Sequence, residues 1–134
     1  MRIVRDVLTR VVAHAHSSRP FECCGILLSR SERATVDDVL PAENVERRRP
    51  QEAYILGPKA HLKAIEIESR GEADIVGYYH SHPKGGTYFS ATDRISAIDG
   101  TTYLVISGQP ADPVYAAWRT EGRRALPEPV EVVS

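Results

Sequence analysis

Very little sulfur is available to this chain. Its only two cysteines, Cys23 and Cys24, are adjacent and cannot staple distant parts of a fold together. A Cys-only zinc site needs a second pair and is excluded. On an extended strand the two would point to opposite faces, and both read as small buried hydrophobes. Absent too is any apolar run near the roughly 20 residues that span a bilayer. The start, MRIVRDVLTR, carries scattered charge and lacks the apolar block of a signal peptide, so a cytoplasmic location is expected. Charge of one sign is also lacking: 17 basic against 18 acidic residues leave a net −1. That balance argues against a nucleic-acid binder working through a broad basic surface. The basic run Arg47-Arg48-Arg49 reads as a solvated loop before Pro50, with contact to an acidic partner as the sharper alternative. Internal repeats and low-complexity linkers are missing.

What is present suits a single domain over residues 1–134, with 42% hydrophobic and 26% charged residues, a length and mix that build an ordinary globular core. Val4, Val7, Leu8, Val11, Val12 and Ala15 repeat with helical spacing, predicting an amphipathic helix over 4–17. Apolar runs predict strands at 24–29, 34–40 and 53–56, with a turn around 30–33 between the first two. A helix over 58–70 follows, with Pro58 in its first turn and Gly71 past its end. DIVGYYHSH predicts a strand over 74–82, stopped by Pro83. A short helix over 90–98 and strands at 102–107 and 114–119 complete the pattern, the last two split by a Pro-containing loop. The tail PEPVEVVS reads as a loose extension or an edge strand. This order predicts one α+β domain, with helices on a mostly antiparallel sheet.

The chain contains two H-x-H pairs, and they differ in setting. His14 and His16 fall on the first helix, where two residues turn through about 200°, so their side chains diverge. His80 and His82 fall on a strand of period two, so they share a face with Tyr78 while Ser81 points the other way. A shared metal is open to the second pair only, although H-x-H alone is a weak signal. Further on, Ser90-Ala91-Thr92-Asp93 resembles a helix capping box. Asp93 also offers a third ligand: two histidines and one carboxylate satisfy a catalytic zinc while leaving one position for water. The two readings are compatible, since a capped helix is a rigid mount. A hydrolytic site further needs a base, and Glu22, Glu43 and Glu52 are candidates. Glu22 stands out because it lies between a helix stop and a buried strand, where a solvated acid is less expected. The plain alternative is a loop charge.

Taken jointly, these residues resemble the JAMM (MPN-plus) zinc metallopeptidases. The pattern is Glu22, then His80-Ser81-His82-Pro83, six further residues, and Ser90-Ala91-Thr92-Asp93. The P-x-E-C-C-G opening around Glu22 is similar to that of small bacterial members. The resemblance implies an MPN-type, cytidine-deaminase-like fold. It further implies one Zn2+ held by His80, His82 and Asp93, with Glu22 as general base and Ser90 as oxyanion donor. The implied partner is a ubiquitin-like β-grasp sulfur-carrier protein with a Gly-Gly tail, without nucleic acid or membrane, and one branch releases cysteine from such a carrier. A chain of this length leaves little room for the insertions with which the deubiquitinating members grip ubiquitin. Two other functions stay open: a non-catalytic scaffold of the same fold, and a zinc hydrolase acting on a small-molecule amide.

Overall fold

The computed structural model describes residues 1–31, 34–108 and 115–134. The amphipathic segment forms α1 (Arg5–Ser18), preceded by a three-residue strand, β1 (Arg2–Val4). Next come β2 (Cys24–Ser29), β3 (Asp38–Ala42), α2 (Pro58–Ser69) and β4 (Asp74–His82). The chain continues through α3 (Ala91–Ser96), β5 (Thr102–Ser107), β6 (Tyr115–Glu121), β7 (Arg124–Glu128) and β8 (Glu131–Val133).

Six strands form one mixed sheet in the order β3-β2-β4-β5-β6-β7. Only the β4–β5 pairing is parallel within it, so the expectation of a mostly antiparallel sheet holds. Strand period sorts the side chains onto two faces. Leu27, Tyr79, Leu104 and Ile106 meet Val7, Leu8, Val11 and Ala15 of α1 in one cluster. Ile26 and Leu28 pack with Ala64 of α2 and with Tyr78 on the other face. Tyr103 and Val105 join Phe89 in a third cluster, which Tyr78 also touches. His80 and His82 share the parity of Tyr78, so they emerge on the α2 side. Ser81 points the other way, and its Oγ accepts the Cys23 N–H at 2.9 Å. Gly25 is required here by close approach: a Cβ on it would collide with the Tyr79 ring.

Several boundaries differ from expectation. Residues 53–56 form no strand; Leu56 makes only an isolated bridge to Asn44. The Asn44 side chain replaces a ladder there. Its Nδ2 donates to the carbonyls of Glu22 and Ala53, both at 3.1 Å. Its Oδ1 accepts the N–H of Glu46 at 3.0 Å and of Ile55 at 3.1 Å. The strand expected at 34–40 is shifted to Asp38–Ala42, with Val36 in a separate bridge to Ile3. The short helix ends at Ser96 rather than residue 98. The tail is strand: β8 pairs in parallel with β1. Part of the expected 30–33 turn, the loop at 109–113 and position 114 of the expected strand 114–119 lie outside the described residues. Both cysteines are free and buried.

Candidate metal centre

The site is built where β4 ends. Pro83 stops the strand, and the His82 carbonyl accepts N–H groups from Gly85 and Gly108, each at 2.9 Å. Gly85 and Gly86 have φ of 103° and 89°, a region that disfavours residues with a Cβ. They turn the chain back toward the strand end, where Ser90 caps α3. The Asp93 N–H donates to Ser90 Oγ and the Ser90 N–H to Asp93 Oδ2, both at 3.0 Å. The capping box therefore exists, and it aims the Asp93 carboxylate at the histidines.

The same Oδ2 lies 3.0 Å from His80 Nε2 and 3.3 Å from His82 Nε2. His80 is fully buried, His82 is 6% exposed and Asp93 8%. The ligand atoms of the three residues lie within 4.8 Å of one another, and no other such group occurs among the described residues. A tetrahedral shell with bonds near 2.0–2.1 Å has edges of about 3.3 Å, so these spacings fit a metal with little movement. The donor set, two imidazoles and a carboxylate, also fits. Neither histidine Nδ1 has a hydrogen-bond partner among the described residues. Ring packing orients them instead: Tyr54 stacks on His80 at 4.7 Å, and Tyr88 lies 4.7 Å from His82.

Electrostatics prepare these groups for a cation. Burial would raise the Asp93 carboxyl, but hydrogen bonds from His80 and His82 override it and hold the group well below the usual carboxylate range. Burial also lowers His80 despite the opposing pull of Asp93, favouring the neutral imidazole that binds metal. Glu22 behaves oppositely. It is 4% exposed, and burial, then the charges of Asp93 and Glu52, push its carboxyl up to about 8. Its Oε1 is buried without a partner among the described residues. With His82 and Ser90, Glu22 lines a cleft of about 260 Å³. The other two candidate bases are exposed and paired: Glu43 with Arg47 at 3.0 Å and Glu52 with Lys84 at 2.7 Å.

The structure thus brings together His80, His82 and Asp93, with Glu22 and Ser90 on the adjoining cleft. It keeps the helical pair apart: His14 Nδ1 sits 2.7 Å from the Tyr79 hydroxyl, and His16 joins no metal group. Sequence reasoning missed Tyr54 and Asn44. Tyr54 was hidden in an apparent strand, and nothing local marks Asn44 as the residue that ties Glu22 to the 46–55 loop.

A strand-borne H-S-H-P facing the aspartate of a capped S-x-x-D, beside a mixed sheet of this order, defines a JAMM-type metalloprotein. The chain belongs to the family described as prokaryotic homologs of the JAB domain, whose model matches residues 4–121. A desampylase of Haloferax volcanii is 37% identical over 113 residues, 80% of each chain. A probable TtuB-protein conjugate cleaving protease of Thermus thermophilus is 33% identical over 97% of this chain and 78% of its own. The CysO-cysteine peptidase of Mycobacterium tuberculosis is 29% identical over 96% of this chain and 88% of its own. Among solved structures, a Desulfitobacterium hafniense protein superposes with a TM-score of 0.86 at 25% identity, covering 99% and 93% of the two chains. A structure described as a JAMM metalloprotease-like zinc site in the proteasome and signalosome gives 0.60 at 19% identity, covering 100% and 98%, a likeness of fold.

Proposed function

We propose that this protein is a cytoplasmic zinc metallopeptidase that hydrolyses the amide or isopeptide bond after the Gly-Gly tail of a ubiquitin-like sulfur-carrier protein. The observation that carries this reading is the convergence of His80, His82 and Asp93 on one point, beside a buried glutamate whose carboxyl Oε1 has no hydrogen-bond partner among the described residues. The named relatives, which act on conjugates and adducts of such carriers, support the substrate class. Release of cysteine is one form of this reaction.

His80, His82 and Asp93 would hold the ion. When bound, zinc supplies the Lewis acidity that makes a water nucleophilic near neutral pH. Glu22 takes a proton from that water as its oxygen adds to the scissile carbonyl carbon. It then delivers the proton to the nitrogen as the C–N bond breaks, a role typically worth about 10²- to 10⁴-fold. Ser90 Oγ already accepts from the Asp93 N–H, which leaves its own hydrogen to donate to the carbonyl oxygen as charge develops there. A glycine tail suits the crowded approach, since it brings backbone close without side chains. The complete ligand set speaks against a non-catalytic scaffold.

The test uses a carrier–amino-acid adduct ending Gly-Gly and its Gly-Val counterpart, at matched enzyme and zinc. The first is cut and the second is not; a chelator abolishes the reaction and added zinc restores it. One zinc per chain is the expected metal content. Equal cleavage of both adducts would remove the requirement for a thin tail. Cleavage of a small acyl amide with neither adduct cut would make the substrate a small molecule.

A further inference from the structure

The leaving side of the cleft carries its own chemical signature. Under the proposed reaction, on which this inference rests, the departing nitrogen must come within hydrogen-bond reach of Glu22 to receive its proton. Glu22 borders two cavities, and only the one it shares with His82 and Ser90 also carries a candidate metal ligand and the oxyanion donor, so the group attached through that nitrogen is placed there. Three further charged residues line the same cleft: Arg49, Glu52 and Lys84.

Two of these three are engaged with each other. Lys84 Nζ lies 2.7 Å from Glu52 Oε1, an exposed ion pair that joins the chain after His82 to the 46–55 loop. Arg49 is different: its guanidinium makes no hydrogen bond or short ion pair among the described residues, although its charge helps to draw the Glu46 and Glu52 carboxyls down. Its backbone, by contrast, is firmly held. The Arg49 carbonyl accepts the N–H groups of Glu52 and Ala53, each at 2.9 Å. The next carbonyl, that of Pro50, accepts the Glu22 N–H at 2.8 Å, and Asn44 bonds both Glu22 and Ala53. Arg49 is thus one residue away from a direct hydrogen bond to the backbone of Glu22. A cation with no short side-chain contact among the described residues is carried on backbone that is tied to the group that meets the leaving nitrogen.

We infer that Arg49 reads the α-carboxylate of the leaving group, so that a carrier extended by one α-linked amino acid is preferred to one joined to a lysine side chain. In an α-amino acid the carboxylate is two bonds from the nitrogen, so seating that nitrogen at Glu22 brings the anion to the cleft wall. The planar guanidinium fork matches a carboxylate in two parallel hydrogen bonds. A lysine-linked leaving group instead presents four methylenes to these charges and carries no anion near its nitrogen. Glu22 bears the transferred proton at that stage and adds no competing charge.

The experiment builds three adducts on one β-grasp carrier ending Gly-Gly. They carry alanine with a free carboxylate, alaninamide, or Nα-acetyl-lysinamide joined through its side-chain nitrogen. The zinc-loaded protein is expected to cleave the first with kcat/KM about tenfold or more above the other two, as a charge-assisted hydrogen bond implies. Arg49→Gln brings the carboxylate-to-carboxamide ratio close to one, and Arg49→Lys keeps part of it. Binding to zinc-loaded Glu22→Gln follows the same order without turnover. The carboxamide is the internal control, since a folding defect lowers all three together. Equal cleavage of acid and amide by the parent protein, a ratio unchanged in Arg49→Gln, or preference for the lysine-linked adduct each overturns the inference. Failure to cut any of the three overturns the reaction itself.

Discussion

His14-x-His16 and His80-x-His82 have the same spacing and opposite fates. On α1 one ring turns inward to the Tyr79 hydroxyl while the other joins no cluster. On β4 the two Nε2 atoms meet a single carboxylate oxygen. Backbone period decides the first difference, because two residues span about 200° of a helix and a full period of a strand. Surroundings decide the second. The strand pair faces a capped helix that presents Asp93, with Tyr54 and Tyr88 holding the rings by contact. Whether a histidine pair can hold a metal is decided by the element that carries it and the acid that meets it, and the sequence interval contributes only the possibility.

This contrast can be broken most severely at the neighbour of the strand pair. Glu22→Gln should keep zinc and fold but lower turnover by about 10²- to 10⁴-fold, because an amide cannot take the proton. Parallel metal analysis and kinetics check this, and parental turnover would shift the role to Glu52, the other acid on the cleft. Next in size is the ligand itself. Asp93→Ala should weaken zinc binding by more than about 100-fold, beyond what losing an outer-sphere partner costs. His14→Ala and His16→Ala should leave the zinc titration unchanged. Full affinity in Asp93→Ala would reduce that residue to a helix cap.

The smallest effect is one of opposite signs with pH in the metal-stripped protein. Glu22 has a folded value raised from 4.5 to about 8, so the fold favours its neutral form. Its contribution is intact at low pH and declines as pH rises from about 4.5 toward 8. His14 is lowered from 6.5 by burial, so the fold favours its neutral form as well, but this stability declines as pH falls below about 6.5. Melting temperatures in chelator should therefore show Glu22→Gln gaining on the parent between pH 5 and 8. The His14→Gln variant should gain on the parent only toward acid. The first difference is on the order of 1–4 kcal/mol at its widest. A Glu22→Gln difference that stays flat with pH would mean that this carboxyl is not strained by burial.

Much of this was legible beforehand because the relevant signals are local. The α1 stripe, the apolar β2 and β5, Pro58 opening α2 and the alternation of β4 all rest on periods and punctuation within one element. The meeting of His80, His82 and Asp93 was legible for the same reason, since H-x-H-P and S-x-x-D each lie in one short segment. Glu22 required more: its burial comes from the loop above it, and only its position between α1 and β2 hinted at that. The failures are long-range. The segment 53–56 has strand composition, but Asn44 takes the Ile55 N–H and Ala53 carbonyl that a ladder would have used. β1 exists because it pairs with β8 from the far end of the sequence. β7 contains Pro127, which argues against a central strand, yet β7 lies at the sheet edge where a missing donor is tolerated.

The Asn44 amide has a consequence for how this protein can change. One side chain, with all four of its hydrogen bonds made, fixes the frame of the loop that overlies Glu22. Those four bonds reach main-chain groups at 22, 46, 53 and 55 and no side chain between 47 and 52. That stretch is therefore open to rewriting: new residues can be tried on the cleft wall while the acid beneath keeps its place. Selectivity can drift at these positions independently of the chemistry, which makes the loop the natural address for divergence among proteins sharing this centre.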